Sequence, residues 1–297
     1  MVNYPLLSSQ QQQGLPELIQ AIRLPTMYED STHQIWQCDT VDGLMILKVC
    51  NTENVKKASF WQGMKHLFDV DLIQSLGKFD FVYQKISKYS SLVIPKFIAS
   101  DSESSPSSPA FILAQYVSGT MVDMTEIKDG MIEALARHIS QCHQKEQSQW
   151  GEFQHAKYSA NEWGIRLYKT LEELASNHSI PETIRDEAYQ QANILAVKTF
   201  VPVMIDLRWD QFLQQEQQLS ALVDLDAFVY APKELELVLL EYLLDEQQAN
   251  KFKQHYQQEL AIANLSHVRT AYRLLLFLMN VLGEKDIERW MNAPVRF

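Results

Sequence analysis

Residues 201–228 read VPVMIDLRWDQFLQQEQQLSALVDLDAF. Two apolar runs in this stretch each end in an aspartate, Asp206 and Asp224. Phe212-Leu213, the polar turn 214–218 and residues 219–225 read as a β-hairpin between them. Strands rich in apolar residues head for the interior. A carboxylate at the end of such a strand is costly to bury unless it meets a cation or a hydrogen-bond donor. Two acids at the same end of adjacent hairpin elements can converge on one divalent metal and a substrate hydroxyl. Phosphoryl transfer uses such a set: one carboxylate orients the nucleophile and others hold magnesium against the phosphates.

Upstream, residues 34–40 and 44–50 are rich in strand formers and flank Val41-Asp42-Gly43, a strong hairpin signal. Residues 1–15 are polar and Gln-rich and read as a loose arm, and 15–22 as a short helix. Residues 54–67 read as a helix, 82–86 and 92–99 as strands, and Asp101–Pro109 (DSESSPSSP) as a loop. An apolar strand over 111–117 follows, ending at Ser118-Gly119. Beyond it the chain is mostly helical: 127–143, 160–176, 181–200, 234–244, 247–260, 266–282 and 284–291. The order is thus a small β-rich part, a hinge-like strand, and a large helical part that contains one hairpin.

A net charge of -11 argues against general nucleic-acid binding, which needs a basic footprint, and is compatible with a cationic small molecule. The three cysteines, Cys38, Cys50 and Cys142, form no CxxC pair, so neither a disulfide framework nor a zinc site is indicated and a reducing, cytoplasmic setting is expected. The N-terminus lacks the basic and apolar regions of a secretory signal, and no apolar run has the length of a membrane span, so no membrane association is expected. Oligomeric state is not legible.

The central stretch resembles the aminoglycoside phosphotransferase and choline kinase superfamily, whose fold is protein-kinase-like. In that family a catalytic Asp is followed five residues later by a metal-binding Asn, and a short hairpin then leads to a metal-binding Asp. On this pattern Asp206 is the catalytic base, Gln211 falls at the Asn position, and Asp224 is the second metal ligand, with Asp226 two residues beyond it. Lys48, amid Leu-Met-Ile-Leu-Lys-Val, matches the phosphate-binding lysine on the second strand of the first hairpin. Residues 111–117 match the strand into the hinge, with Gln115, Tyr116 and Val117 offering backbone groups to an adenine. His143 matches a frequent Leu-His position, with Cys142 in place of the Leu, and Glu236 an acid read as structural. Arg208 and Trp209 lie within the catalytic loop.

Four positions depart from the family pattern. Met204-Ile205 replaces His-Gly before the base, and Gln211 replaces Asn. The segment at the place of the glycine-rich loop, residues 28–34, has no glycine, so Ser31 and Thr32 are the hydroxyls left to meet phosphates. No acid lies between Glu53 and Asp69, where a helix partner for Lys48 is expected. The resemblance implies an α+β, two-lobed kinase-like fold: an arm over 1–24, a nucleotide-binding lobe over 25–117 and a helical lobe over 118–297. It further implies transfer of the ATP γ-phosphate, with Mg2+, to a hydroxyl of a small acceptor. Aminoglycosides, choline-like cations, sugars, amino-alcohols and thiosugars are all allowed. The departures leave open a catalytically inactive relative that binds a ligand or a partner.

Overall fold

The computed structural model describes residues 2–25, 31–176, 178–262 and 264–297. Strands β1 (Leu18–Arg23), β2 (His33–Thr40) and β3 (Gly43–Cys50) run antiparallel in succession. Helices α1 (Thr52–Lys57), α2 (Ser59–Phe68), α3 (Leu72–Ser75) and α4 (Asp80–Tyr89) follow. Strands β4 (Phe97–Asp101) and β5 (Phe111–Gln115) then complete a five-stranded antiparallel sheet of order β1-β2-β3-β5-β4. Gly43 opens β3 at φ 106°, a backbone conformation that suits glycine and lets the β2–β3 hairpin close tightly.

The rest of the chain is mainly helical. It comprises β6 (Thr120–Met121), α5 (Asp129–His143), β7 (Gly151–Glu152), α6 (Trp163–Ala175) and α7 (Glu182–Ile194). Strands β8 (Val201–Met204), β9 (Phe212–Gln215), β10 (Gln218–Leu222) and β11 (Phe228–Ala231) come next. Helices α8 (Lys233–Leu243), α9 (Glu246–Tyr256), α10 (Arg269–Leu278) and α11 (Ile287–Met291) close the chain. The short strands form two three-stranded sheets, β10-β9-β6 and β7-β11-β8. The molecule is therefore α+β, with a sheet-rich N-terminal part and a helical C-terminal part. Among the described residues no helix is long and apolar enough to cross a membrane.

Side chains alternate between the faces of a strand, and this alternation aims Lys48. Met45, Leu47 and Val49 pack on the outer face of the large sheet with Trp36, Cys38, Phe111 and Leu113. Lys48 therefore points to the opposite face, where Cys50, Ile112 and Ala114 join the main core. The expected loose arm is instead docked on the outer face. Tyr4 and Leu7 are buried there, the Tyr4 hydroxyl donates to Pro16 O at 2.9 Å, and Gln11 Nε2 donates to Pro109 O at 2.8 Å. Apolar positions at 4 and 7, together with β1, give the segment enough to bury.

Several other local expectations change. Residues 15–22 are not a helix but lead into β1, whose backbone pairs with β2; a window that short cannot nucleate a helix against such a template. Residues 82–86 are not a strand. They lie in α4, where Val82, Tyr83 and Ile86, with Phe79 at the helix cap, bury one helical stripe. The 54–67 helix breaks at Ala58, which is extended (φ -71°, ψ 121°), into α1 and α2. The 92–99 strand starts only at Phe97, past Pro95, whose ring removes a ladder donor. The β2–β3 and β9–β10 hairpins stand as expected.

Candidate active site

Two strand pairings converge on the acids. In the β8–β11 pair, Met204 lies opposite Phe228. The chain leaving β8 reaches Asp206 while the chain entering β11 comes from Asp226, so both acids stand at the same open end. Ile205 N–H donates to Ala227 O at 3.2 Å and extends this pairing toward them, and Val223 N–H donates to Gln211 O at 3.0 Å, tying the exit of β10 to the loop after Asp206. Asp224 is held between these two ties.

Lys48, from β3, crosses to this cluster. Its Nζ lies 3.0 Å from Asp224 Oδ1. Burial alone pulls the ammonium pKa down, but Asp224 and Asp226 outweigh it and hold Lys48 protonated. Burial pushes Asp224 up; Lys48, His33 and the hydrogen bonds from Lys48 and the Asp226 N–H outweigh it and keep the carboxyl below its usual range. The missing helix acid is thus replaced: Asp224 is the carboxylate that fixes Lys48. From α4 the cluster is approached by the buried Tyr83, whose phenol is raised by burial against the pull of Lys48.

Asp206 Oδ2 accepts from Gln211 Nε2 at 2.8 Å. Its Oδ1 is buried and accepts no hydrogen bond among the described residues. Burial and then Asp224 push the Asp206 carboxyl up to about 7, against Arg208 and Gln211. Gln211, expected at the metal, has both atoms of its amide engaged. Its Oε1 accepts the Arg208 N–H at 3.2 Å while its Nε2 serves Asp206. A backbone N–H can only donate, so the amide oxygen must face Arg208 and the amide cannot be reversed. Arg208 itself pairs with Asp210, Nε to Oδ1 at 3.2 Å.

Asp226 and His33 complete the cluster, and neither stood out in the sequence as a site residue. His33 Nε2 lies 3.5 Å from Asp226 Oδ2. Burial and then Asp224 push Asp226 up to about 8, while burial and then Lys48 pull His33 down to about 4. The Asp-Leu-Asp spacing was a legible hint for Asp226. Nothing in the sequence links His33 to it, because the contact joins the start of β2 to the entry of β11.

The loop bearing Asp206 is anchored from below. Glu236 of α8 accepts the Met204 N–H at 2.8 Å through Oε1 and meets His143 Nε2 at 2.7 Å through Oε2. His143 Nδ1 meets the Tyr256 hydroxyl at 2.8 Å. Carboxylate acceptance fixes the tautomer: Nε2–H donates and Nδ1 accepts. Met204 thus needs no histidine side chain at its position, since its own backbone amide is held by Glu236 of α8, which His143 of α5 braces.

The residues expected on the nucleotide side are more scattered. Ser31 O accepts from Asn54 Nδ2 at 3.0 Å, and the Thr32 hydroxyl lies 3.4 Å from His33 Nδ1. Both sit at the end of the β1–β2 connection, the place of a phosphate-covering loop; residues 26–30 of that connection lie outside the described residues. Gln115 N–H donates to Lys96 O at 2.8 Å and Tyr116 N–H to Leu44 O at 2.9 Å. Those two amides belong to the sheet, and Val117 is the first residue beyond them.

The donor set suits a hard divalent cation coordinated partly by phosphate. Among the described residues no group of three or more His, Cys, Asp or Glu side chains could hold a metal alone. Two buried carboxylate oxygens, Asp206 Oδ1 and Asp226 Oδ1, nevertheless meet no donor among the described residues. Oxygen ligands of this kind, completed by phosphates and water, match magnesium.

No family model matches the sequence, and no curated protein matches it. Solved structures do. The macrolide 2'-phosphotransferase MphH of Brachybacterium faecium superposes with a TM-score of 0.59 at 11% identity, over 94% of this chain and 95% of that one. A candidate fructosamine-3-kinase from Haemophilus somnus 129PT gives 0.60 at 11% identity, over 95% and 93%. The streptomycin–ATP–APH(2")-IIa ternary complex gives 0.54 at 14% identity, over 81% and 78%. The chain has the protein-kinase-like fold of the small-molecule phosphotransferases. Within this kinase-like fold β3 is the strand that carries Lys48, because β1 adds a strand ahead of the β2–β3 hairpin.

Proposed function

We propose that the chain is a small-molecule kinase that moves the γ-phosphoryl group of ATP to a hydroxyl of a small acceptor. The observation that carries this reading is the Lys48–Asp224 pair at 3.0 Å with Asp206 beside it, an association of one cation and two acids drawn from opposite ends of the fold. The sheet-rich part, from β1 to Val117, supplies the nucleotide side, and 118–297 the acceptor side.

In this reading Asp206 accepts a hydrogen bond from the acceptor hydroxyl and orients its oxygen toward the γ-phosphorus. The new O–P bond forms as the bond to the ADP oxygen breaks, and the hydroxyl proton passes to Asp206. Lys48 neutralises the α/β-phosphates, and Asp224 is the carboxylate for magnesium. Bound magnesium spreads the charge that develops on the transferring phosphoryl and on ADP. Val117 and Gln115 frame the adenine, and Ser31 and Thr32 donate hydroxyls to phosphate. The acidic overall charge favours a cationic acceptor. The three cysteines are all free and buried, in keeping with a reducing, cytoplasmic setting.

The test is thermal shift and radiolabel transfer with ATP and Mg2+ across a panel of amine-bearing alcohols. Wild type should bind ATP and transfer to at least one, and Asp206→Asn should bind but not transfer. A folded wild type with no nucleotide response would overturn the reading and leave an inactive ligand-binding relative, the alternative that the occupied amide of Gln211 and the glycine-free loop favour.

A further inference from the structure

The cluster contains one acid more than the proposed chemistry uses. The Asp226 side chain is only 7% exposed, and its Oδ1 accepts no hydrogen bond among the described residues. Its Oδ2 faces His33 Nε2 at 3.5 Å, too long for a good hydrogen bond. Its backbone N–H donates to Asp224 Oδ1 at 3.4 Å, so the two acids share one turn. A buried carboxyl with an open oxygen is costly unless something binds there. Lys48 does not resolve this: its ammonium lies 3.0 Å from Asp224 Oδ1, and among the described residues no hydrogen bond from it reaches Asp226 Oδ1. Gln211, at the position where a metal-binding amide was expected, is 3% exposed and has its oxygen turned to the Arg208 N–H.

We propose that Asp226 joins Asp224 as the carboxylate pair that holds the divalent cation, and that Gln211 is a positioning residue for Asp206. This rests on the reading of the cluster as a phosphotransferase centre. The pair matches the hard-oxygen preference of magnesium and adds a full negative charge where the amide would add none. His33 then caps the far oxygen of Asp226 as a neutral imidazole.

The experiment measures Mn2+ binding by loss of the free-ion EPR signal, with no nucleotide and again with a saturating non-hydrolysable ATP analogue. Nucleotide binding is followed separately by displacement of a fluorescent analogue in EDTA. The proteins are wild type, Asp224→Asn, Asp226→Asn and Gln211→Ala, each checked for folding by circular dichroism. Asp226→Asn is isosteric with the neutral acid and should fold as wild type does. Both Asp→Asn variants should weaken Mn2+ by about tenfold or more, and Gln211→Ala should leave it within about threefold. Unchanged Mn2+ affinity in Asp226→Asn, or a loss in Gln211→Ala equal to that in Asp224→Asn, overturns the proposal, as does a wild type that binds no Mn2+ in either arm. Mn2+ bound through both acids by a wild type that ignores the nucleotide would uphold the carboxylate pair and sink the kinase reading.

Discussion

Asp206 and Asp226 face one another across the open end of the β8–β11 pair, each just beyond the Met204–Phe228 partners. Both carboxyls are pushed upward, to about 7 and about 8, by burial and then by Asp224. Asp224 and Asp226 share the Lys48 ammonium, and Asp206 has only the more distant pull of Arg208 and the Gln211 amide to offset its burial. That shortage of positive charge is the chemical character of the site.

Asp206 as the base has a pH signature. A carboxylate base works only when ionised, so kcat/KM for the acceptor should fall with unit slope as pH drops below about 7 and level off above it. Asp206→Asn should lower transfer by about 100-fold or more while leaving the affinity for ATP within a few-fold. A pH profile flat from 5 to 9, measured at low acceptor concentration, would remove Asp206 from that role.

Lys48→Met should act mainly on nucleotide binding. It removes the one ion-pair partner that Asp224 has among the described residues and leaves that carboxylate facing the open cleft. Asp224 is a third exposed, so water offsets part of the loss and the melting temperature should move by only a few degrees. Affinity for ATP should fall by about tenfold, corresponding to a charge-assisted contact of about 1.4 kcal/mol. Calorimetric titration of ATP reads this directly.

Glu236 carries the anchor for the loop. Glu236→Ala leaves the Met204 N–H and the His143 ring without their buried partner and should cost about 3–5 kcal/mol, read as a lower midpoint in urea. Glu236→Gln should cost far less. Its amide oxygen can still accept from Met204, and its NH2 can donate to His143 Nε2 if the ring switches tautomer and donates to Tyr256 instead. Equal losses in the two variants would mean that charge, rather than hydrogen bonding, holds the loop.

Much of this was legible in the sequence, and what was not has identifiable causes. Asp-Gly at 42–43 marked the β2–β3 hairpin because that turn demands a residue free to take φ 106°. Asp206 and Asp224 stood out because acids seldom follow apolar runs without a partner. Residues 82–86 misled because five apolar-rich residues fit a strand as well as a helix, and only Phe79, outside that window, reveals the helical stripe. The use made of Gln211 was hidden because it depends on where one backbone N–H, that of Arg208, points. The His33–Asp226 contact was hidden because no local pattern encodes an encounter between β2 and the entry of β11. The docking of Tyr4 and Leu7 was masked by the glutamines around them.

His138 gives the fold a pH dependence separate from the site. It is buried on α5, with Nδ1 2.8 Å from the Ser90 hydroxyl, and burial followed by the nearby His143 pulls its pKa down to about 4. Between that value and the ordinary 6.5 the folded protein holds the ring neutral while the unfolded chain protonates it. The unfolded state then binds more protons, so stability rises with pH through this window and is lost as pH falls through it. His138 alone should contribute a loss on the order of 3 kcal/mol between pH 7 and pH 4. Urea midpoints for wild type and His138→Gln, taken at half-unit steps, check this. The variant should be less stable at pH 7, where a fitted ring is lost, and should show a shallower decline below pH 6.5. Parallel curves for the two proteins would assign the acid sensitivity to other groups, with His33, lowered in the same way by burial and then Lys48, the next to substitute.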